Sequence, residues 1–440
     1  MLDIVGPDKH KPTSLWGISN KAKLDKQHRF QNLYHCLNEE LLLNCWPRLN
    51  KDASSGVDGV TWYEYGLRLH SNVEALVARL KSKQYQAKLV LRRYIPKDRD
   101  KLRPFGIPVI EDKLVQAGCT KILMAIYEQD FLPMSYGYRP KRGALDAVRD
   151  LTFDLQFGCF GYVVEADIKG FFDNMDHDWL LTMLGERIDD RALLGLIRKW
   201  LKAGILETDG QVIHPETGSP QGGVISPVLA NVYLHYALDL WFDKIVKRHC
   251  RGDVMINRYA DDFVCAFRYQ DDARRFFRVL PKRLRKFKLE ISPSKTRLLR
   301  FSRFHPTLRR GFQYLGFDFS GFPDRQGVVR VQRRTLAKKL RAACLKIKQW
   351  IKFNRHMTRQ DFFRGLIRRL RGHYNYYGVY GNHRLVNRFY RRAKACAFKW
   401  LTRRGGKRAS FTWEQFSTLL RVYRVPLPRT TEVKRRRVFA

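Results

Sequence analysis

The stretch Arg258-Tyr259-Ala260-Asp261-Asp262-Phe263-Val264 places two adjacent carboxylates between two runs of residues that are typical of β-strands. Carboxylates are disfavoured inside strands and costly to bury, so the pattern predicts a strand, a turn and a second strand with the acidic pair at the tip. Two interpretations fit such a tip. It is an ordinary hairpin turn, where Asp is common, or its side chains reach a metal site. For an isolated pair the turn is favoured, and the rest of the chain decides.

The composition limits the class of protein. The chain has 440 residues, enough for about two to four domains, and 44% of them are hydrophobic, which indicates a folded core rather than disorder. There are 84 Lys and Arg residues against 42 Asp and Glu, a net charge of +42. Such an excess favours a nucleic acid partner. An anionic membrane is the rival partner, but no long apolar run or amphipathic anchor supports it.

The termini and cysteines indicate the compartment. The first residues contain no apolar signal core, and the eight cysteines are scattered without close pairs. This spacing argues against a zinc site or a disulfide framework and favours a reducing environment. We therefore expect a cytoplasmic, nucleoid-associated protein of bacterial type, with no transmembrane segment.

A second carboxylate, Asp167, follows the β-branched run of residues 162–164 and is predicted to end a strand. Asp173 lies just before a helical pattern, which favours an N-cap or a local hydrogen-bonding role. Two-metal phosphoryl chemistry takes carboxylates from separate strands, so that two Mg²⁺ ions lie about 4 Å apart. Asp167 and Asp261 are suitable candidates.

Residues 89–108 predict a basic hairpin that carries Lys97 and Arg103 near its tip. Lys as a compact charge and Arg as a bidentate fork can clamp a triphosphate, although a solvated charged turn is the alternative. Further along, the glycines of residues 218–223 allow a ligand to approach the backbone. Gln221 presents both a donor and an acceptor there.

The C-terminal half is strongly basic. Residues 331–408 are about one-third Lys or Arg and contain a single acidic residue, Asp361. Leu336, Leu340, Cys344, Ile347 and Ile351 recur at helical spacing, so one helix face is expected to be buried. Because acidic partners are missing from the other face, a polyanionic partner is favoured over simple solvation. Other predicted elements are helices at 72–83, 111–130, 144–157 and 271–290 and a hairpin at 311–319.

The order of these pieces resembles the fingers and palm of a reverse transcriptase, most closely the group II intron-encoded reverse transcriptase/maturase family. The resemblance covers roughly residues 30–425. It is carried by ordered motifs, namely Gly56-Val57-Asp58-Gly59, Leu102-Arg103-Pro104-Phe105-Gly106-Ile107-Pro108, Gly137-Tyr138-Arg139-Pro140, Ser219-Pro220-Gln221-Gly222-Gly223, Tyr259-Ala260-Asp261-Asp262 and Phe312-Gln313-Tyr314-Leu315-Gly316-Phe317.

The resemblance implies catalytic roles. Asp167, Asp261 and Asp262 are the expected catalytic carboxylates and metal ligands, joined by the backbone of Ile168. The expected cofactor is a pair of Mg²⁺ ions, with Mn²⁺ as an alternative. Lys295 matches a lysine that protonates the leaving pyrophosphate, and the alternative is a surface lysine.

The resemblance also implies a dNTP-binding site. Lys97 and Arg103 are the expected triphosphate contacts, and Gln221 is expected near the nascent base pair. Phe172 is the expected gate against a ribose 2′-hydroxyl, and an ordinary core Phe is the alternative. Its neighbour Phe171 is expected to face the core, because alternate residues of extended chain point to opposite sides.

The implied fold class is α+β: a right-hand polymerase with fingers, a palm with an antiparallel sheet, and a helical thumb. The expected domains are an N-terminal extension (1–60), fingers and palm (61–325), an RNA-binding thumb/maturase domain (326–402) and a basic C-terminal segment for DNA or RNA (403–440). No nuclease domain with paired cysteines and histidines is expected.

The implied function is RNA-directed DNA synthesis from dNTPs, together with a maturase role in splicing and retrohoming of a group II intron. The expected partners are structured intron RNA, an RNA template with a DNA primer, target DNA and dNTPs, without a membrane. Two alternatives stay open: a splicing cofactor that acts mainly by RNA binding, and a domesticated relative in host defence or repair. The sequence does not reveal the oligomeric state.

Overall fold

The computed structural model describes residues 14–98, 101–219, 222–304, 310–403 and 411–432. The chain divides into two compact units: residues 1–147, 166–265 and 271–297 form the first, and residues 148–165, 266–270 and 298–440 form the second. The architecture mixes helices with antiparallel strand pairs, so the predicted α+β class is confirmed.

The elements follow one another along the chain. The helices are α1 (Leu15–Leu24), α2 (Glu39–Cys45), α3 (Trp62–Gly66), α4 (Leu69–Lys81), α5 (Ile110–Asp130), α6 (Ala144–Phe157), α7 (His177–Gly185), α8 (Arg191–Leu201), α9 (Ser226–Leu234), α10 (Lys247–His249), α11 (Gln270–Arg285), α12 (Ala337–Phe353), α13 (Arg359–Tyr377), α14 (His383–Thr402) and α15 (Trp413–Val422). The strands are β1 (Val90–Asp98), β2 (Lys101–Ile107), β3 (Tyr162–Asp167), β4 (Ile205–Leu206), β5 (Val212–Ile213), β6 (Val254–Tyr259), β7 (Asp262–Phe267), β8 (Arg297–Arg300), β9 (Gly311–Tyr314), β10 (Phe317–Pro323) and β11 (Val329–Thr335).

The predicted basic hairpin is confirmed in the first unit. β1 and β2 pair antiparallel from Leu91↔Ile107 to Asp98↔Lys101, and Arg103 lies opposite Ile95. β4 then pairs parallel with β1, and β5 completes a sheet of order β2-β1-β4-β5. Because Arg103 is exposed in this register, the hairpin presents a guanidinium to solvent.

A second sheet, with the order β6-β7-β3-β8, places both carboxylate motifs on neighbouring strands. β6 ends at Tyr259 and β7 begins at Asp262, so Ala260 and Asp261 form the tip of the predicted hairpin. β3 ends at Asp167, as predicted. Ala260 has φ +56°, a left-handed conformation that non-glycine residues rarely adopt.

Helix α5 supplies much of the core of the first unit, where it packs against α1, α2 and α9. Its predicted apolar face is confirmed, because the side chains at the expected spacing are completely buried. These are Leu114, Val115, Ile122, Leu123 and Ile126.

The second unit contains a three-stranded antiparallel sheet of order β11-β10-β9, which confirms the hairpin predicted over 311–319. The helices α12 to α15 share one hydrophobic core. Leu340, Ile347 and Ile351 of α12 are buried in it as predicted, and Cys344 packs against it partly exposed. Leu336 is buried at the N-cap position, just before the helix begins.

Two local predictions are wrong. The helix predicted over 271–290 ends at Arg285, because the chain turns through Lys288, whose φ is +53°, and the N–H of Leu289 donates to the carbonyl of Leu284. The N-cap of α7 is Asp176, whose side chain accepts from the N–H of Trp179, so the N-cap role predicted for Asp173 is wrong. The alternative, a local hydrogen-bonding role, agrees with the structure, since the N–H of Asp173 donates to the carbonyl of Gly170 at 2.9 Å.

No helix in the described ranges has both the length and the apolar character that crossing a membrane requires. Four features predicted from the sequence lie outside the described residues: Gln221, the side chain of Lys97, and residues 404–410 and 433–440 of the basic C-terminal segment.

Candidate active site

The end of β3 is fixed by the chain segment that follows α11. The N–H of Ser292 donates to the carbonyl of Asp167 at 2.8 Å, and Ile168 forms an antiparallel bridge with Ile291. Ile168 is buried, whereas the Asp167 side chain is 23% exposed. The backbone therefore sets the direction in which the Asp167 carboxylate leaves the sheet.

Lys295 reaches this carboxylate from the same segment. Its Nζ donates to Oδ2 of Asp167 at 2.6 Å, while the lysine side chain remains 60% exposed. An ion pair with so much solvent around it contributes little to stability. The ion pair matters because it places Lys295 beside Asp167, and the sequence predicts both residues for the same site.

Asp261 lies within electrostatic range of the same groups. Burial raises the pKa of Asp261, and the nearby Asp167 carboxylate raises it further, whereas the charges of Arg103 and Lys295 lower it. The structure therefore brings together Asp167, Asp261, Arg103 and Lys295. Asp262 is the half-buried first residue of β7.

This donor set fits a divalent cation that also binds substrate. In the part of the chain that the structure describes, no three His, Cys, Asp or Glu side chains form a metal-binding group. Mg²⁺, however, is commonly held by one or two carboxylates plus substrate phosphates rather than by a cage of protein ligands. Asp167 and Asp261 offer hard oxygen donors whose mutual repulsion a cation would offset. The ligand roles of Asp262 and of the Ile168 backbone stay predictions.

A buried arginine, Arg258, supports the carboxylate turn, which we define as residues 259–262 between β6 and β7. Its side chain and that of Asp239 are both 0% exposed, and they form a two-pronged ion pair with Nε–Oδ1 at 2.7 Å and Nη2–Oδ2 at 2.5 Å. Arg258 also donates to Asn231 Oδ1 at 3.2 Å, to Ser135 Oγ at 2.7 Å and to the carbonyl of Ala260 at 3.0 Å. All five N–H donors of the guanidinium are thereby satisfied.

The loop of residues 135–139 lies against the same turn. The N–H of Tyr136 donates to the carbonyl of Arg258 at 2.9 Å, and Asn231 Nδ2 donates to the carbonyl of Gly137 at 2.7 Å. A Cβ at Gly137 would lie 2.5 Å from the N atom of Ala260, a distance that side chains do not tolerate. Only glycine allows this close approach.

The two phenylalanines after β3 differ in burial, and Phe171 faces the core as predicted, although both lie in a turn rather than in extended chain. Phe171 is 2% exposed and packs against Tyr233, whereas Phe172 is half-buried. The ring of Phe172 meets that of Tyr138 edge to face, with centroids 6.4 Å apart and an interplanar angle of 79°. Phe172 is therefore not an ordinary residue of the deep core.

The loop before α9 lies beside both Phe172 and the basic hairpin. The N–H of Ser219 donates to the carbonyl of Phe172 at 2.8 Å. Gly222 has φ +121°, and a Cβ there would lie 2.3 Å from the carbonyl oxygen of Gly106 in β2. The described ends of this loop are thus held close to the candidate gate and to the hairpin of Arg103.

The sequence did not predict the roles of four residues of this site. These are Tyr138, Asn231, Asp239 and Arg258. One signal was present, because a charged residue within the apolar run of β6 needs a buried partner. Which acidic residue would supply it is a matter of tertiary structure.

Two aspartates at the ends of neighbouring strands, beside a basic hairpin, form a candidate site of the kind expected for a polymerase. Residues 95–319 match the family model described as reverse transcriptase (RNA-dependent DNA polymerase). The chain is 36% identical over 229 residues to the group II intron-encoded protein LtrA of Lactococcus lactis subsp. cremoris, covering 51% of this chain and 38% of that protein. It is 33% identical over 281 residues to protein YkfC of Escherichia coli, covering 56% of this chain and 73% of that protein.

A further relative is nuclear intron maturase 4 of Arabidopsis thaliana, which is 27% identical over 146 residues, 32% of this chain and 18% of that protein. The chain therefore belongs to the reverse transcriptase family, in the branch of group II intron-encoded reverse transcriptases and maturases, as the motifs indicated. It spans less than half the length of LtrA.

The buried ion pair yields a stability prediction. We expect Asp239→Asn to lower the free energy of unfolding by about 3–5 kcal/mol, because Arg258 keeps its buried charge and loses its partner. Asp243→Asn is the control, since it removes the exposed ion pair with Lys247 and is expected to cost less than about 1 kcal/mol. Denaturant unfolding of the full chain measures both values, and equal costs would contradict a supporting role for Arg258.

Proposed function

We propose that the chain is an RNA-directed DNA polymerase that copies RNA into cDNA from dNTPs. The observation that carries this proposal is the convergence of Asp167 and Asp261 at the ends of neighbouring strands, with Lys295 paired to Asp167. In this assignment the basic hairpin belongs to the fingers, the sheet of order β6-β7-β3-β8 belongs to the palm, and the helices α12 to α15 belong to the thumb.

The incoming nucleotide lies between the hairpin and the carboxylates. Arg103 is exposed on β2 and close enough to Asp261 to affect its pKa, so its guanidinium is suited to bind the triphosphate. Lys97 supplies a second charge from the same hairpin, and Gln221 contacts the nascent base pair. Phe172 packs beneath the sugar and leaves no volume for a 2′-hydroxyl.

The reaction is an in-line displacement. The primer 3′-hydroxyl attacks the α-phosphorus, and the bond to the bridging oxygen of the pyrophosphate breaks as the new phosphodiester forms. Asp167 and Asp261, together with Asp262 and the Ile168 carbonyl, would hold Mg²⁺, which when bound would lower the pKa of the primer hydroxyl and offset the developing charge. Lys295 donates a proton to the departing pyrophosphate, a contribution typically worth about 10²–10⁴ in rate.

The first test of polymerase activity removes one carboxylate. We expect Asp261→Asn to reduce Mg²⁺-dependent extension of oligo(dT) on poly(rA) by more than about 100-fold, since even indirect supports of metal sites cost 10–100-fold when lost. Asp271→Asn is the matched control, because it removes an exposed carboxylate paired with Arg251 outside the site. Absence of product with the unmodified chain, or full product with Asp261→Asn, would refute the assignment.

The second test concerns sugar selection. Phe172→Ala is expected to increase rNTP incorporation relative to dNTP incorporation, by about 10-fold or more, because the volume that excludes the 2′-hydroxyl is opened. Single-nucleotide incorporation with matched dNTP and rNTP pairs measures the ratio. Phe153→Ala changes a partly buried aromatic residue outside the candidate site and serves as the control. An unchanged ratio in Phe172→Ala would remove the gate assignment.

We further propose that the second unit binds structured RNA, consistent with a maturase role for a group II intron and with splicing and retrohoming. Within the described residues of α12, α13 and α14, Arg364–Asp361 is the one ion pair, so most of the cations on these helices have no carboxylate partner. A groove of about 640 Å³ is lined by Arg334, Arg384, Arg388 and Arg391. Arginines without carboxylates suit the phosphate backbone of a polyanion.

The relatives favour an intron as the source of that RNA, because LtrA is named a group II intron-encoded protein and the Arabidopsis relative an intron maturase. Target DNA is a further proposed partner during retrohoming.

Crosslinking in cells tests the RNA partner. We expect the full chain to enrich one structured RNA over bulk RNA, and the double variant Arg388→Gln/Arg391→Gln to lose most of that enrichment. Each lost phosphate contact should also lower the salt dependence of binding in vitro by about one unit. Arg198→Gln, at an exposed pair with Asp178 in the first unit, is the control. Recovery of bulk RNA alone would argue against a dedicated intron.

A further inference from the structure

Tyr138 is not among the residues proposed above to bind the nucleotide or the metal ions. It lies in the loop of residues 135–139, its φ is +59°, and its side chain is 46% exposed. A left-handed conformation is unfavourable for an aromatic residue, so the surrounding structure must hold it. A strained residue whose ring is nevertheless held in place invites the question of which neighbouring group the ring supports.

The backbone of Tyr138 is tied to the carboxylate turn. Gly137, the residue before it, approaches Ala260 so closely that a Cβ would lie 2.5 Å from the N atom of Ala260. The carbonyl of Gly137 accepts from Asn231 Nδ2 at 2.7 Å, and Asn231 in turn accepts from Arg258. The hydrogen-bond network that supports the turn therefore also fixes the backbone of Tyr138 relative to the turn that carries Asp261.

The ring of Tyr138 meets the candidate sugar gate. Its centroid is 6.4 Å from that of Phe172 at an interplanar angle of 79°, an edge-to-face contact. Phe172 also contacts Phe171, with ring centroids 5.5 Å apart, and Phe171 is buried in the core. Phe172 thus contacts one ring buried in the core and one ring whose backbone is tied to the carboxylate turn.

The side chain of Tyr138 is influenced by the charged groups of the site. Burial raises the pKa of the Tyr138 hydroxyl, the Asp261 carboxylate raises it further, and Arg103 lowers it. The side chain is therefore within electrostatic range of both Asp261 and Arg103, the two groups that flank the proposed nucleotide position.

We propose that Tyr138 is a positioning residue for deoxynucleotide selection, whose ring supports Phe172 and keeps it beneath the sugar of the incoming nucleotide. This inference rests on the proposed polymerase function. A steric gate rejects a 2′-hydroxyl only if its ring cannot move away. A ring that is free to rotate would leave room for the hydroxyl at a small cost in free energy. Phe171 blocks retreat into the core, and Tyr138 blocks it toward the carboxylate turn.

The ring rather than the hydroxyl of Tyr138 performs this task, which gives a matched pair of variants. Tyr138→Phe keeps the edge-to-face contact. Tyr138→Asn removes the ring, and Asn tolerates the left-handed conformation better than most residues, so the loop backbone is preserved. Tyr138→Leu is a second variant without an aromatic ring, for use if the Asn protein does not fold as judged by circular dichroism.

Single-nucleotide incorporation by the full chain with Mg²⁺, on an RNA template with a DNA primer, tests the inference. The measured quantity is the ratio of kcat/KM for a dNTP to that for the matching rNTP. We expect Tyr138→Asn to lower this ratio by about 10-fold or more through improved use of the rNTP, and Tyr138→Phe to keep it within about twofold. In a Phe172→Ala background, Tyr138→Asn should produce no further loss, because the supported ring is already absent.

Two outcomes would overturn the inference while leaving the polymerase assignment intact. In one, Tyr138→Asn or Tyr138→Leu keeps the discrimination ratio although Phe172→Ala loses it. In the other, the effects of Tyr138→Asn and Phe172→Ala multiply, so the two residues act independently. A failure of the proposed function is distinguishable, since the unmodified chain would then incorporate no dNTP at all.

Discussion

The ion pair between Arg258 and Asp239 is the constraint on which the candidate site depends. Both side chains are fully buried, and taking two charges out of water is costly unless each remaining donor and acceptor is satisfied. Here the guanidinium uses all five of its N–H groups, and one of them holds the carbonyl of Ala260. The strained turn that presents Asp261 is therefore supported by a guanidinium that is buried and whose donors are all used in this network. Asp239 itself lies on a π-helical turn, His235–Asp239, a local distortion often found at functional sites.

This network joins parts of the chain that are far apart in sequence. Asn231 links Arg258 to the loop of residues 135–139, and that loop carries Tyr138 to the ring of Phe172. The hydrogen bonds that support the carboxylate turn therefore also support the loop whose Tyr138 ring contacts Phe172, the proposed sugar gate. In a reverse transcriptase such shared support matters, because the reacting phosphate and the sugar belong to the same nucleotide and must be placed together.

The features predicted correctly from the sequence are those with local causes. Asp167 at a strand end and Asp261 at a hairpin tip follow from the cost of placing a carboxylate inside a strand, and the bounds of α6 follow from helical periodicity. Asp173 was misassigned because its own N–H closes a turn onto Gly170, which delays the helix until Asp176 caps it. The choice of Asp239 as partner of Arg258 and the contact of Tyr138 with Phe172 were not predictable, because both depend on how distant segments pack. The metal-binding and dNTP-binding roles expected for single residues follow from the family resemblance rather than from the local sequence pattern.

The contact between Lys295 and Asp167 spans 128 positions of the chain. Chains leave the ribosome from the N-terminus, and domains fold as units once their residues have emerged. Both carboxylates are therefore made well before the cation that offsets them, and the segment that fixes the end of β3 emerges with that cation. The order of translation thus keeps the candidate site incomplete until Lys295 has been made. A nascent chain stalled before residue 295 would carry Asp167 and Asp261 but not the lysine that pairs with Asp167.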